Sequence, residues 1–195
     1  MKLHIYIFRH GESFFNEKGE KKFTGWTDSK LTPDGVKQAR TVARKLKNKK
    51  FQVAFYTRLS RSKDTLKEVL KYHPECKKKI LDDRMIERSY GKLQKKLHST
   101  IIKKYGKKQY EIWHRSYGVP PPGGESIKMV EKRVKSFLKY LIKKMKKEKI
   151  NVAISAHNNS MRPFRRYFEK FGIKKMMKIE NPWDDYFDYT IEVKA

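Results

Sequence analysis

Apolar residues follow two patterns along the chain, short continuous runs and longer segments in which they recur every three or four residues. The continuous runs predict strands that are buried on both faces, and they are KLHIYIF (2–8), FQVAFYT (51–57) and NVAISAH (151–157). The periodic segments predict amphipathic helices, and they cover residues 31–46, 60–72, 126–145 and 161–172. Because the two patterns alternate, the sequence indicates βαβ units and a mostly parallel sheet.

This alternation predicts an α/β fold in three layers, with a mostly parallel central sheet and helices on both faces, in one domain over residues 1–195. KKIL (78–81) and YFDYTIEV (186–193) predict two further strands. Apolar residues between positions 91 and 117 indicate another helix.

Turn and cap residues predict where two helices begin and end. Thr32 is a candidate N-cap, with Pro33 at the first helical position. The last predicted helix begins at Met161, with Pro163 tolerated in its first turn and Gly172 as the stop.

Length and cysteine content exclude several classes of protein. The one cysteine, Cys76, excludes a disulfide framework, and the sequence has no Cys/His spacing of the zinc type. The sequence also has no apolar run of the roughly 20 residues that a spanning helix needs and no signal-peptide pattern. We therefore expect a cytoplasmic protein with no metal and no membrane partner.

The formal net charge of +28 and the isoelectric point near 10.1 admit two functional classes. One class is nucleic-acid binding, and the other is a lysine-rich surface around a site for a small polyanion, whose capture a positive field would speed. The lysines are scattered along the chain, and no known helix-turn-helix, zinc-finger or RNA-binding signature accompanies them. We favour a small anionic phosphorylated ligand and no specific nucleic acid, and nucleic-acid binding stays as the alternative.

Two predicted strands end in a histidine. His10 follows Arg9 after the first strand, and His157 ends the run NVAISAH. In open α/β sheets, ligands bind at the carboxyl ends of the strands, so both rings are expected at one edge of the sheet. This edge is the candidate functional site.

Six motifs occur in order from Arg9 to Arg162, and they are RHGESFFN, FTGWTDSKLTPDG, YTRLSRSKDTL, ERSYGKLQ, WHRSYGVPPPGGES and SAHNNSMR. The first resembles the signature of the histidine phosphatase superfamily. The order of all six is similar to that in its cofactor-dependent phosphoglycerate mutases. The resemblance covers nearly the whole chain.

The resemblance implies an isomerase of glycolysis and gluconeogenesis that interconverts 3-phosphoglycerate and 2-phosphoglycerate through a phosphohistidine. It also implies 2,3-bisphosphoglycerate as the phosphoryl primer and no metal. The implied nucleophile is His10, with Glu87 as proton donor and acceptor. The implied ligands of the phosphoryl group are Arg9, Arg61 and His157. The implied substrate-binding residues are Asn16, Thr24, Gly25, Arg88, Tyr90, His98, His114, Arg115, Asn158 and Asn159.

Some positions depart from the pattern of the mutases. His114 stands where an arginine is usual, so we expect binding of the substrate carboxylate to depend on pH near neutrality. Asn158 replaces a glycine, and asparagine is tolerated at that position if the backbone is left-handed. Residues 122–126 lead directly into the next helix without an insertion that helps to cover the site in longer mutases.

Two questions stay open at this point. A phosphomonoesterase would use the same pocket and pass the phosphoryl group to water, and coverage of the site bears on that choice. The sequence also leaves open whether the chain forms a homo-oligomer.

Overall fold

The sheet is the centre of the fold in this computed structural model, which describes residues 1–16 and 21–193. Over those residues, five strands pair in the order β3-β2-β4-β1-β5. The strands β1 to β4 are mutually parallel, and β5 runs antiparallel to β1 at one edge. The strands are β1 (Lys2–Arg9), β2 (Val53–Tyr56), β3 (Lys78–Leu81), β4 (Val152–Ala156) and β5 (Tyr186–Glu192).

Helices cover both faces of the sheet, as the sequence predicts. They are α1 (Pro33–Leu46), α2 (Ser60–Leu70), α3 (His98–Arg115), α4 (Ile127–Glu148), α5 (Asn158–Glu169) and the short α6 (Ile173–Met176). Two 3-10 turns, Asp83–Met85 and Gly91–Leu93, lie between β3 and α3. The predicted three-layer α/β fold is confirmed.

Two hydrophobic cores explain why the central strands carry apolar residues on both faces. In β1, Tyr6 and Phe8 pack in the core beneath α1 and α2, while Ile5 and Ile7 pack in the core beneath α4 and α5. Successive side chains of a strand point to opposite faces, so a strand between two helical layers buries both sets. The continuous apolar runs are therefore a direct consequence of the layered fold.

The predicted cap of α1 is confirmed. The Gly35 N–H donates to Thr32 Oγ1 at 2.9 Å, and Pro33 is the first helical residue. The helix predicted between residues 91 and 117 is α3, which is kinked at Gly106 with φ 80°. Glycine adopts this positive φ without the steric cost of a side chain.

The start and the stop predicted for α5 are wrong. The helix begins at Asn158 rather than Met161, because the His157 N–H donates to Ser160 Oγ at 3.3 Å and the chain turns directly from β4 into the helix. Pro163 consequently lies inside the helix. The left-handed residue after the helix is Lys170, with φ 58°, and Gly172 instead precedes α6.

The pairing of β1 with β4 brings the two strand-end histidines together. Arg9 is in register with Ala156, and the His10 N–H donates to the Ala156 carbonyl at 3.1 Å. His10 and His157 therefore leave neighbouring strands at the same edge of the sheet.

Within the part of the chain that the structure describes, no helix has the length and apolar character that crossing a membrane requires.

Candidate active site

A cavity of about 410 Å³ lies beyond the carboxyl ends of the parallel strands. Most of the predicted site residues line it, and they are Arg9, His10, Asn16, Thr24, Gly25, Arg61, Glu87, Tyr90, His98, His114, Arg115, Asn158 and Asn159. His157 lies directly behind this lining, with its ring centroid 4.9 Å from that of His10. The fold therefore gathers residues that are up to about 150 positions apart in sequence around one space.

His10 is a buried ring with one nitrogen fixed. Its Nδ1 lies 2.6 Å from the Gly11 carbonyl, which is an acceptor, so the ring hydrogen lies on Nδ1 and the lone pair on Nε2. Burial holds the pKa of His10 well below the ordinary histidine value, and the charges of Arg61 and Arg9 lower the pKa further. His10 is thus a neutral imidazole with a free nucleophilic nitrogen.

Arg61 is a buried cation and Arg9 is a half-buried one, and both lie beside His10. Arg61 Nη1 and Nη2 donate to the carbonyls of Thr27 and Gly25, and Arg9 Nη1 donates to the Asn181 carbonyl. Burial lowers the pKa of each guanidinium to about 10, so both stay charged at neutral pH. Among the described residues, the Nε atom of each has no hydrogen-bond partner, which leaves buried donors for an anion.

His157 is oriented by a residue that the sequence did not single out. Its Nε2 lies 2.8 Å from Thr57 Oγ1, at the end of β2. When the Thr57 hydroxyl donates to Nε2, the ring hydrogen lies on Nδ1, which has no partner within the described residues. Burial holds the pKa of His157 well below the ordinary value, and Arg61 and His10 add to this effect. His157 can therefore offer a neutral N–H donor next to His10.

Glu87 brings a carboxylate to the same cavity. Its residue is 8% exposed, and its Oε1 accepts from the backbone N–H groups of Arg88 at 2.7 Å and Asn159 at 3.2 Å. Arg133 Nη2 and Trp26 Nε1 both donate to the Glu87 carbonyl, which fixes the backbone. The carboxylate is therefore largely shielded from water and fixed in direction.

The structure does not bring Arg88 into the cavity. The side chain is completely buried and donates to three backbone carbonyls, those of Glu125, His114 and Trp113. Each of the three nitrogens of this guanidinium thus donates a hydrogen bond to the backbone at the end of α3 or just before α4. Substrate binding by Arg88 finds no support in this geometry.

The loop before α1 contributes Asn16, Thr24 and Gly25. Asn16 Nδ2 lies 3.5 Å from Thr24 Oγ1, and the Gly25 carbonyl accepts from Arg61. Gly25 has φ +51°, and a Cβ there would lie 2.5 Å from Gln94 Oε1. A side chain at this position would therefore disturb the wall that holds Arg61.

His98 and His114 form an aromatic wall with Phe23 and Tyr110. The ring centroids of His98 and His114 are 5.1 Å apart, and Tyr110 Oη lies 3.0 Å from His98 Nδ1. Burial is the main cause that lowers the pKa of His98 to about 4 and that of His114 to about 3, and Arg115 lowers both further. The expectation that His114 titrates near neutrality is therefore wrong for the free protein, in which both rings are neutral at pH 7.

Asn158 and Asn159 form the first turn of α5. Asn158 has a right-handed helical backbone, so the left-handed conformation in which asparagine would be tolerated is not the one adopted. Its side chain donates to Glu180 Oε2 at 2.7 Å. Asn159 Oδ1 accepts from Arg162 at 3.2 Å.

Sequence reasoning missed several residues that line the cavity, and they are Phe15, Lys21, Lys22, Phe23, Arg162, Glu180 and Trp183. Arg162 ends the motif SAHNNSMR, four positions after Asn158, so helical spacing could have placed it on the same face. The others lie in loops, where neither periodicity nor motif spacing gives a direction. Lys21, Arg115 and Arg162 make up a second cationic group, because each lowers the pKa of His98 or His114.

Within residues 1–16 and 21–193, no group of three or more His, Cys, Asp or Glu side chains is arranged to hold a metal ion.

Comparisons with known proteins agree with this geometry. The model of the histidine phosphatase superfamily (branch 1) matches residues 5–187. A 2,3-bisphosphoglycerate-dependent phosphoglycerate mutase of Parvibaculum lavamentivorans is 34% identical over 178 residues, which cover 90% of this chain and 84% of that protein.

Solved structures extend the comparison to the fold. The alpha-ribazole phosphatase of Shigella flexneri superposes with a TM-score of 0.81 at 19% identity and covers 95% of this chain and 89% of its own. A mycobacterial glucosyl-3-phosphoglycerate phosphatase superposes with a TM-score of 0.82 at 18% identity and covers 97% and 91%. At such identities the likeness shows a shared fold alone.

We predict that acid destabilises the folded protein through its buried histidines. The folded state lowers the pKa of four histidines, which are His10, His98, His114 and His157. Below the ordinary pKa of about 6.5, these histidines therefore bind protons in the unfolded chain but stay neutral in the folded protein. The free energy of unfolding should therefore be highest above that pH and fall as the pH decreases, by about 1.4 kcal/mol per pH unit for each proton. Urea unfolding at pH values from about 7.5 down to about 5 measures this dependence. His114→Gln should flatten the slope, and a stability that is constant over this range would contradict the prediction.

We also predict that Thr57→Val weakens the binding of inorganic phosphate roughly tenfold, because a buried hydrogen bond to His157 contributes about 1 kcal/mol or somewhat more. Calorimetric titration with phosphate measures the change. Thr57→Ser keeps the hydroxyl and should bind within about twofold of the unchanged protein, which separates loss of the donor from loss of packing. Equal affinities of the Val and Ser variants would contradict a role for the hydroxyl.

Proposed function

We propose a specific activity for this chain, which belongs to the histidine phosphatase superfamily, namely the interconversion of 3-phosphoglycerate and 2-phosphoglycerate through a phosphorylated His10. Family membership rests on the match over residues 5–187 and on the 34% identity with the mutase of Parvibaculum lavamentivorans. The observation that carries the proposal is the neutral His10 ring with a free Nε2 beside the cations Arg9 and Arg61.

His10 is the nucleophile of the proposed reaction. Its Nε2 lone pair forms a bond to phosphorus while the bond from phosphorus to the ester oxygen breaks, and Nδ1 stays hydrogen-bonded to the Gly11 carbonyl. The ring becomes positively charged as the N–P bond forms, and the Gly11 carbonyl stabilises that charge. Fixing Nδ1 also keeps the ring from turning away from the cavity.

Arg9, Arg61 and His157 hold the three equatorial oxygens in the proposed reaction. Phosphoryl transfer requires chiefly positioning and charge stabilisation. The unpartnered Nε atoms of the two arginines and Nδ1 of His157 are buried donors of the kind that such oxygens accept. In this low-dielectric setting, their hydrogen bonds to a charged group are stronger than in water.

Glu87 moves the proton. Its carboxylate accepts a proton from the substrate hydroxyl that attacks phosphorylated His10, and the resulting carboxylic acid returns that proton to the leaving oxygen when His10 takes the other phosphoryl group back. Its carboxylate lines the cavity with His10 and is held by two backbone N–H groups, which fixes its direction.

The residues present also fit 2,3-bisphosphoglycerate as the primer. Bound there, the bisphosphate supplies the phosphoryl group that first charges His10. Arg9 and Arg61 would hold one phosphoryl group, and the second cationic group of Lys21, Arg115 and Arg162 would hold the remaining anionic groups. The proposed partner is thus a small anionic phosphorylated substrate in the cytoplasm, without a metal, a membrane or a specific nucleic acid.

A phosphomonoesterase is the second candidate, and two observations favour it. Residues 116–126 join α3 directly to α4 without the covering insertion of longer mutases. The two structural neighbours are also named as phosphatases of other phosphoesters. If water reaches phosphorylated His10, the same residues release phosphate rather than isomerise the substrate.

The test is a paired assay with 3-phosphoglycerate and catalytic 2,3-bisphosphoglycerate, in which 2-phosphoglycerate and free phosphate are followed together in the presence of a chelator. We expect 2-phosphoglycerate to form with little phosphate, because the donors around His10 retain the phosphoryl group. His10→Ala should lower the rate by at least about a thousandfold, since it removes the nucleophile. His4→Ala, which changes a histidine within β1 and outside the cavity lining, is the matched control.

Phosphate release that outruns isomerisation would contradict the mutase and leave the phosphomonoesterase. Unchanged turnover by His10→Ala would exclude both activities at this site.

A further inference from the structure

We propose that Glu180 is an internal counter-anion that sets how strongly the cavity binds the carboxylate of a ligand. The inference rests on the proposed function, in which the substrate carries a phosphoryl group and a carboxylate. It assigns to Glu180 a role in specificity, as a competitor for the donors that would otherwise bind the substrate carboxylate.

Glu180 occupies donors that face the cavity. It lies in the loop between α6 and β5, where its Oε1 accepts from Arg162 Nη2 at 2.7 Å and its Oε2 accepts from Asn158 Nδ2 at 2.7 Å. Arg115 Nη1 lies 4.0 Å from Oε1. Two cations of the second cationic group are therefore already paired with a carboxylate of the protein itself.

The backbone around Glu180 is held on both sides. Arg162 Nε donates to the Ile179 carbonyl at 2.8 Å, and Arg9 Nη1 donates to the Asn181 carbonyl at 3.0 Å. Asn181 is 2% exposed and also bonds to Asn158 through its N–H and its side chain. Removal of the Glu180 charge should therefore leave the loop in place.

The Glu180 side chain itself is free to move, because it is 61% exposed. A ligand carboxylate that approaches Arg162 and Arg115 meets Glu180 at the same donors and must displace it, since two carboxylates of like charge repel each other at one site. Arg162 is only 5% exposed in this pair, but the Glu180 carboxylate can pass into water when a ligand carboxylate takes its place.

The cluster around His10 does not depend on Glu180 in the same way. Arg61 donates to the Thr27 and Gly25 carbonyls, and the unpartnered Nε atoms of Arg9 and Arg61 are left for a phosphoryl group. A phosphoester without a carboxylate therefore binds without displacing Glu180. This difference makes Glu180 a discriminator between the two ligand types.

The test is calorimetric titration with a matched pair of ligands, 3-phosphoglycerate and glycerol 3-phosphate, which differ in a carboxylate against a hydroxymethyl group. We expect Glu180→Gln to bind 3-phosphoglycerate roughly two- to fivefold more tightly. The affinity for glycerol 3-phosphate should rise by a smaller factor, because the charge of Glu180 also acts on Arg9. The ratio of the two affinities is the readout, and a merely structural role of Glu180 would not move it.

Asp184→Asn is the matched control, because it removes the same charge from an exposed residue of the same loop outside the cavity lining. Both affinities of this control should equal those of the unchanged protein. Three results would overturn the inference, namely an equal shift for both ligands in Glu180→Gln, the same shift in Asp184→Asn, or no binding of 3-phosphoglycerate by any of the proteins.

Isomerisation measured on the same samples separates this inference from the proposed function. A shifted affinity ratio without any formation of 2-phosphoglycerate would support the role of Glu180 and remove the mutase. An unchanged affinity ratio with normal formation of 2-phosphoglycerate would support the mutase and exclude the role of Glu180.

Discussion

The parallel pairing of β1 with β4 is the constraint on which the site depends. The hydrogen bond from the His10 N–H to the Ala156 carbonyl continues the ladder one residue beyond the strand and places His10 next to His157. Because both faces of the two strands are buried, a slip of one residue would move every side chain into the opposite core, where it does not fit, and would separate His10 from His157. The two hydrophobic cores thus fix the alignment of the chemistry at the edge of the sheet.

Burial then determines the charges at that edge. The rings of His10 and His157 stay neutral because a buried imidazolium beside two guanidiniums would be unfavourable. Arg9 and Arg61 stay charged, and backbone carbonyls satisfy part of their donors. The free protein therefore places two neutral imidazole rings beside positive charge that Glu87 only partly offsets, and this arrangement is complementary to a phosphoryl group.

The fold and the inner part of the site could be predicted because their signals are local. Continuous apolar runs gave the strands, and His10, Arg61 and Glu87 lie in motifs whose order is distinctive. The start of α5 was missed because the hydrogen bond from the His157 N–H to Ser160 Oγ begins the helix directly after the strand. In the sequence, the polar residues 158–160 look like a connection between a strand and a helix. Thr57 was missed because its role depends on a contact with His157, 100 residues away in sequence. Glu180 was missed because its role depends on a contact with Arg162, 18 residues away. The neutrality of His114 depends on burial, which the sequence does not specify.

The most direct measurement of the central claim is the chemical identity of the phosphorylated residue. The protein is mixed with radiolabelled 2,3-bisphosphoglycerate, stopped rapidly, tested for stability of the label in acid and alkali, and digested for peptide mapping. Phosphorylation of His10 predicts a label that is lost in acid, is retained in alkali and lies on the peptide that contains His10. An acid-stable label, a label on the peptide that contains His157, or no label at all would contradict it.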